Sequence, residues 1–247
     1  MSKIPETQID AAEVNKGVAF HENLNPKLFN DNVLRKDVRL VLLKGALAFV
    51  EFLDVPGIMV EDVIFTGSNA AYNYTPYSDL DVHIIVDFDK NMCPELAENF
   101  FNTKKSLWNQ THNAKVRGYD VEMYVEDTKN PVTANGVYSL LDDKWVHHPT
   151  PTAPQWDDSA VLVKVENLAD EIETLLAGPV KKSEIEAMFD RLRRMRKAGL
   201  AAKGELSVEN LAFKILRNLG ILEKMYNAKR AAEDRELSLE STTKNKG

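Results

Sequence analysis

The stretch FTGSNAAYNYTPYSDLDVHIIVDF, residues 65–88, decides the fold, because it joins two apolar strands through a glycine turn. An apolar strand precedes Gly67-Ser68, and the second strand runs from Leu80 to Val86. Asp79 and Asp81 stand at the beginning of this second strand. Because side chains alternate across a strand, the two carboxylates are predicted to face the same side of the sheet.

Two carboxylates held that close repel each other unless a cation lies between them. Asp79 and Asp81 are therefore predicted to bind a divalent metal. An Asp-x-Asp pair alone also occurs as a solvated strand end or as a weak calcium contact. The metal interpretation depends on the Gly-Ser turn before the pair and on a further acid after it.

An apolar strand, Gly-Ser, a spacer and then Asp-x-Asp together resemble the nucleotidyltransferase superfamily typified by DNA polymerase β. The wider pattern is similar to predicted nucleotidyltransferases of large tailed bacteriophages: Asn73-Tyr74 precedes Tyr77-Ser78-Asp79-Leu80-Asp81, and His-x-x-Val-Asp-Phe follows. The likeness runs from about Phe20 to about Met225. It implies a fold of mixed α/β class, with an α+β mixed-sheet nucleotidyltransferase core followed by an all-α helical domain.

The resemblance implies a third carboxylate on a later strand, flanked by apolar residues. Glu122 lies between Val121 and Met123 and fits this pattern best. Asp120 shares the same strand face and stays open as the alternative.

The resemblance also implies a role for each site residue. Asp79, Asp81 and Glu122 would be the catalytic and metal-binding acids, holding two Mg²⁺ ions, with Mn²⁺ as an alternative. Glycine permits close backbone approach, and serine hydroxyls and amides bond phosphate oxygens. The predicted nucleotide-binding residues are Gly67, Ser68, Asn69, Ser78 and Arg194.

The implied reaction is transfer of a nucleoside monophosphate, such as AMP from ATP, to a hydroxyl group with release of pyrophosphate. The nucleoside triphosphate is one partner, and the acceptor is an RNA end, a protein side chain or a small molecule. A second class remains open, namely a catalytically silent nucleotide-binding or protein-binding module of antitoxin type. His83 continues the acidic strand face, and an orienting hydrogen bond is favoured over a contact to phosphate.

Changes in composition along the chain predict five segments. These are an N-terminal arm (1–30), the nucleotidyltransferase core (31–148), a proline-rich linker (149–158), a helical domain (159–230) and a charged tail (231–247).

Two helices are predicted within the core, at Arg35 to Leu53 and at Cys93 to His112. Leu47 is assigned to the buried face of the first helix, and Leu96 and Leu107 to that of the second.

Positive charge is concentrated in the helical segment. Residues 181–230 hold 13 Lys and Arg against 6 Asp and Glu, although the whole chain carries a formal charge of −7. The densest part contains Arg191, Arg193, Arg194, Arg196 and Lys197. Two interpretations remain open, a solvated face and a phosphate-binding surface for triphosphate or RNA.

The composition predicts a cytoplasmic protein, in the host cytoplasm if the chain is encoded by a phage. Cys93 is the only cysteine, so no internal disulfide can form. No apolar run reaches membrane-spanning length, because Lys44 and Glu51 interrupt the longest one. The first 14 residues lack the basic and apolar segments of a signal peptide.

Overall fold

The computed structural model describes residues 19–91, 93–130, 132–151 and 158–238, which belong to two compact units. The first unit comprises Ala19–Ala153 and contains a mixed β-sheet with helices. In the second unit, residues 158–238 are largely helical. The chain is therefore a mixed α/β protein, and its mixed sheet is compatible with the predicted core.

The first unit begins with two short strands, β1 (Phe29–Asn30) and β2 (Val33–Leu34), which pair with each other. The other elements follow in chain order: α1 (Lys36–Leu53), β3 (Val60–Thr66), β4 (Leu80–Val86), α2 (Phe88–Asn91), α3 (Pro94–Thr111), β5 (Lys115–Val116), β6 (Tyr119–Asp127), β7 (Val137–Ser139) and β8 (Lys144–His147). A short 3-10 turn at Ser68–Ala70 lies between β3 and β4.

Among the described residues, six strands form the main sheet in the order β5, β6, β4, β3, β7 and β8. Strands β4 and β6 are parallel, and every other neighbouring pair is antiparallel. A parallel pair needs a crossover connection, and α3 supplies it. The helix predicted between the Asp-x-Asp strand and the Glu122 strand thus has this topological role.

Strand β4 separates an apolar face from a polar face. Leu80, Val82 and Ile84 are fully buried in the hydrophobic core, together with residues of α1 and α3. Asp81 and His83 alternate with them and lie on the opposite face of the sheet. The apolar face anchors the strand, and the other face is left for polar side chains.

The bounds of the two core helices agree with the sequence prediction to within one residue, but their buried faces are rotated from those predicted. Leu47, Leu96 and Leu107 are exposed, so their assignment to the core is wrong. Ala46 and Ala97 are buried in their place. Small alanine side chains let a helix backbone approach the sheet closely, whereas apolar spacing alone favours the bulkiest apolar residues as core positions.

The sequence assigns residues 1–30 to an arm with Phe20, Leu24 and Leu28 as docking points. From residue 19 onward this segment packs on the core. Leu28 is fully buried, and the ring of Phe29 stacks on Trp145 with centroids 5.5 Å apart. The burial of these apolar side chains holds the segment in place. The remainder of the predicted arm, residues 1–18, lies outside the described residues.

The second unit contains α4 (Asp158–Leu176), α5 (Lys182–Lys203), α6 (Val208–Asn218) and α7 (Ile221–Leu237). These helices share a separate apolar core, which includes Val165, Ile172, Leu192, Ile215 and Met225. The hydroxyl of Ser207 accepts a hydrogen bond from the Asn210 N–H at the start of α6. In the described part of the chain, no helix is both long and apolar enough to cross a bilayer.

The charged tail was predicted to begin at residue 231, but α7 continues through Leu237. Lys182 Nζ lies 2.6 Å from Glu233 Oε1, and Arg235 donates a 3.0 Å hydrogen bond to the Val180 carbonyl. These contacts to the start of α5 hold the last turns of α7 in helical form. Most of the predicted proline-rich linker, residues 152–157, lies outside the described residues, as do residues 239–247 of the tail.

Candidate active site

The acids predicted from the sequence lie on or beside two neighbouring strands of the sheet. Asp81 in β4 and Glu122 in β6 are direct partners in the parallel register. Asp79 immediately precedes β4. Neighbouring strands are about 4.8 Å apart, so the register brings the Asp81 and Glu122 side chains together.

Gly67 packs against the Asp81 carboxylate. Its φ of +82° is a conformation that residues with a side chain rarely adopt. A Cβ atom at Gly67 would lie 1.9 Å from Asp81 Oδ2, which is far closer than any real contact. The glycine therefore lets the backbone turn after β3 approach the first carboxylate of β4.

The loop between Gly67 and Asp79 is held by internal hydrogen bonds. Ser68 Oγ donates to Ser78 Oγ at 2.7 Å, and Ser78 Oγ also accepts the Thr75 N–H at 2.9 Å. The fully buried Asn69 donates through Nδ2 to the Asp79 carbonyl at 3.0 Å. These contacts fix the backbone that carries Asp79.

Asn69 is itself oriented by a residue of the segment that precedes α1. Asn25 Nδ2 donates a 2.8 Å hydrogen bond to Asn69 Oδ1, and both residues are buried. Both ends of the Asn69 amide are thus engaged inside the protein. Of the predicted nucleotide-binding residues on this loop, Gly67 and Ser68 are half-buried, whereas Asn69 and Ser78 are buried.

A tyrosine that the sequence analysis did not select belongs to the same site. The hydroxyl of Tyr124 donates a hydrogen bond to Glu122 Oε2. Burial raises the pKa of Tyr124 strongly, and the negative charges of Asp81, Glu122 and Asp79 raise it further. The phenol therefore stays protonated as a donor, and all three predicted acids lie close enough to act on it.

Two further side chains hold the ring of Tyr124. The His83 ring stacks on it with centroids 4.5 Å apart and planes 11° from parallel. The Lys105 ammonium of α3 lies 4.3 Å from the ring centroid, within cation–π range. His83 Nδ1 lies 3.3 Å from Glu126 Oε1, but the geometry does not make a hydrogen bond.

Tyr124 could have been found from the sequence, because it lies two residues after Glu122 and so shares its strand face. Lys105 could not have been found in this way. It is one of several charged residues on an amphipathic helix, and only the tertiary packing of α3 beside β6 brings it to the site.

Asp120 is placed differently from Glu122. It lies opposite Lys115 of β5 in the antiparallel register, and its Oδ1 is 2.6 Å from Lys115 Nζ. About half of the Asp120 side chain is exposed. Asp120 thus pairs with a lysine at the edge of the sheet, whereas Glu122 lies beside Asp81.

The cations of α5 have contacts within the second unit. Arg191 pairs with Glu171, Arg193 lies 2.9 Å from Asp190, and Arg196 Nε donates to Asn210 Oδ1 at 2.9 Å. Arg194, the predicted phosphate ligand, is exposed, as is Lys197 one turn further along the helix.

The site offers oxygen ligands of the kind that Mg²⁺ and Mn²⁺ prefer. The described residues contain no group of three or more His, Cys, Asp or Glu side chains already arranged around a metal position. Such an arrangement is not needed for Mg²⁺, which takes one or two carboxylates and completes its octahedron with phosphates and water. The residues present therefore fit a metal that binds together with a triphosphate.

Comparison with known protein-family models gives no match, and no curated protein sequence matches this chain. Among solved structures, the chain is similar to a STING-associated CdnE c-di-GMP synthase from Capnocytophaga granulosa at 12% sequence identity. The likeness covers 82% of this chain and 84% of that chain, with a TM-score of 0.20. At this level of similarity, the chemistry of the site follows from its own residues.

Proposed function

We propose that this protein is a divalent-metal-dependent nucleotidyltransferase. It transfers a nucleoside monophosphate from a nucleoside triphosphate to a hydroxyl acceptor. One observation carries the proposal: Asp81 and Glu122 are register partners on parallel strands, and Asp79 comes immediately before the first residue of β4. Carboxylates brought together in this way repel each other, and a bound cation relieves that repulsion.

The reaction forms a bond between the acceptor oxygen and the α-phosphorus. It breaks the bond between the α-phosphorus and the oxygen that bridges to the β-phosphate. Pyrophosphate leaves, and the hydroxyl proton is released. When bound, two Mg²⁺ or Mn²⁺ ions, which Asp79, Asp81 and Glu122 would hold, supply charge stabilisation to the phosphoryl oxygens.

The chain's own groups orient the substrate and the acids. The Gly67-Ser68 turn lies against Asp81, so the backbone that would approach the phosphates is next to a metal-binding carboxylate. The Asn69 side chain holds Asp79 in place by donating a hydrogen bond to the Asp79 backbone carbonyl. The acceptor remains an RNA end, a protein side chain or a small molecule.

Transfer is tested by incubating the full chain with each α-³²P-labelled nucleoside triphosphate, Mg²⁺ or Mn²⁺, and cell extract. The labelled acceptor is then identified by its sensitivity to nuclease or protease and by its mass. The proposal expects metal-dependent labelling from at least one triphosphate. Binding of triphosphate without any transfer would instead identify the silent nucleotide-binding module.

The double variant Asp79→Asn/Asp81→Asn removes two charges and keeps nearly the same shape. Transfer should fall by roughly 1,000-fold, because metal-based charge stabilisation contributes several kcal/mol. The free energy of unfolding of the metal-free protein should stay the same or rise, since two repelling charges are lost. Asp142→Asn is the control, because this acid pairs with Lys144 at the surface, and it should keep full transfer. Equal transfer by the double variant and the control would contradict the mechanism.

A further inference from the structure

Tyr124 contacts the candidate third acid directly, and nothing in the proposed function assigns it a role. Its hydroxyl engages only one of the two Glu122 carboxylate oxygens, Oε2. A carboxylate held at one oxygen can present the other to a metal in a fixed direction. Partners of this kind orient metal-binding carboxylates and histidines in many proteins, and their loss lowers metal affinity or activity by about 10- to 100-fold.

We infer that Tyr124 is a positioning residue, which orients the Glu122 carboxylate for divalent-metal binding. The inference rests on the proposed function, because Glu122 must be a metal ligand. In this role Tyr124 acts through its hydrogen bond to Glu122.

The surroundings of Tyr124 suit this role, because its ring has little freedom to move. His83 from β4 stacks on the ring, and Lys105 from α3 places its ammonium over it. In the register, His83 is the β4 partner of Tyr124, as Asp81 is the partner of Glu122. Strands β4 and β6 therefore position the two acids, Asp81 and Glu122, and also Tyr124, which orients Glu122.

The Lys105 ammonium adds a positive charge beside a cluster of acids. It lies over the Tyr124 ring, so this cation–π contact helps to hold the ring, and with it the hydroxyl, beside Glu122.

The test compares Tyr124→Phe with Tyr138→Phe. Tyr124→Phe keeps the ring with its stacking and cation–π contacts and removes only the hydroxyl. Tyr138 is the matched control, because its buried hydroxyl also donates to a carboxylate, Asp143 Oδ1 at 2.8 Å, on β7 of the same sheet. Both variants lose one tyrosine–carboxylate hydrogen bond, and only one of them lies at the site.

Mn²⁺ binding to the metal-free full chain is measured from the electron paramagnetic resonance signal of free Mn²⁺. Tyr124→Phe should weaken Mn²⁺ binding about 10- to 100-fold, and Tyr138→Phe should leave it within about twofold. In the transfer assay, Tyr124→Phe should lower kcat much more than it changes KM for the triphosphate. A purely structural role would affect both variants alike.

A double-mutant cycle shows whether Tyr124 acts through Glu122. If it does, adding Tyr124→Phe to Glu122→Gln should weaken Mn²⁺ binding no further. Additive losses, or equal binding by wild type and Tyr124→Phe, would overturn the inference while leaving the proposed function intact. Wild-type protein that neither binds Mn²⁺ nor transfers nucleotide would overturn both. If the wild-type protein binds Mn²⁺ but transfers no nucleotide, the same cycle of Mn²⁺-binding measurements still tests whether Tyr124 acts through Glu122.

Discussion

At the scale of single residues, the candidate site depends on how closely the backbone turn and the Asp81 carboxylate approach each other. Gly67 combines a positive φ with a carboxylate at the position where its side chain would be. Gly118 also has a positive φ, of +93°, but an added Cβ there would meet no atom within 4 Å. An alanine at either position would therefore be strained in its backbone, but only an alanine at position 67 would also clash with a neighbouring side chain.

Gly67→Ala should lower the free energy of unfolding by about 1–3 kcal/mol more than Gly118→Ala does, because only the first substitution overpacks the site. Each also carries a strain cost of about 1 kcal/mol or more for a side chain at positive φ. Urea unfolding of both variants measures the difference. Transfer should fall only in Gly67→Ala, since Asp81 must move, and equal losses of stability and transfer would show that the Gly67 contact is unimportant.

The two candidate third acids differ in their partners, so their amide substitutions should differ in effect. Glu122→Gln should abolish transfer and retain triphosphate binding, because Asp79 and Asp81 remain. Asp120→Asn should be mild, since it removes only a half-exposed ion pair with Lys115, and such pairs contribute about 0–1 kcal/mol. Turnover of both variants, assayed side by side, tests this order. The reverse order would assign the third acid to Asp120.

At the scale of elements, α3 both crosses over between β4 and β6 and covers the edge of β6 beyond its short pairing with β5. The Asn109 side chain makes two hydrogen bonds with the Met123 backbone. Asn109 Oδ1 accepts from the Met123 N–H at 3.0 Å, and Asn109 Nδ2 donates to the Met123 carbonyl at 3.1 Å. The amide thus replaces a neighbouring strand at the residue next to Glu122. An unpaired edge at this position would leave strand polar groups without partners.

Asn109→Ala should lower the free energy of unfolding by about 1–3 kcal/mol, since two Met123 backbone groups lose their partner. It should also speed hydrogen exchange at the Met123 amide. Asn102→Ala is the control, because Asn102 is exposed on the same helix and gains the same helix propensity. Equal exchange rates at Met123 in the two variants would contradict this role for Asn109.

The sequence predicts elements well where apolar spacing alone determines them. The bounds of α1 and α3 follow from that spacing, and the placement of Asp81 and His83 on one face of β4 follows from strand periodicity. The parts that could not be predicted depend on contacts distant in sequence. Asn109 with Met123, Lys105 with Tyr124 and Asn25 with Asn69 are pairs that only the folded chain brings together.

At the scale of the whole molecule, charge is divided unevenly. The helical segment 181–230 is basic, although the chain as a whole is acidic. Ion pairs and hydrogen bonds inside the second unit engage Arg191, Arg193 and Arg196. Arg194 and Lys197 are the exposed cations of this cluster that suit a test of phosphate binding, since their replacement leaves those contacts in place.

If the acceptor is a polynucleotide, Arg194→Gln/Lys197→Gln should weaken RNA binding and flatten its dependence on salt. Each phosphate contact to a single strand contributes about −0.7 to the slope of log K against log salt, so losing two contacts should flatten it by about 1.4. KM for the acceptor should rise, and KM for the triphosphate should stay nearly unchanged.

Filter binding of RNA across a salt series measures the slope. Lys224→Gln/Arg230→Gln is the matched control, because it removes the same charge from exposed positions on α7. Equal slopes for the two variants would remove the reason to prefer an RNA acceptor, and a rise in KM for the triphosphate alone would assign Arg194 and Lys197 to that substrate.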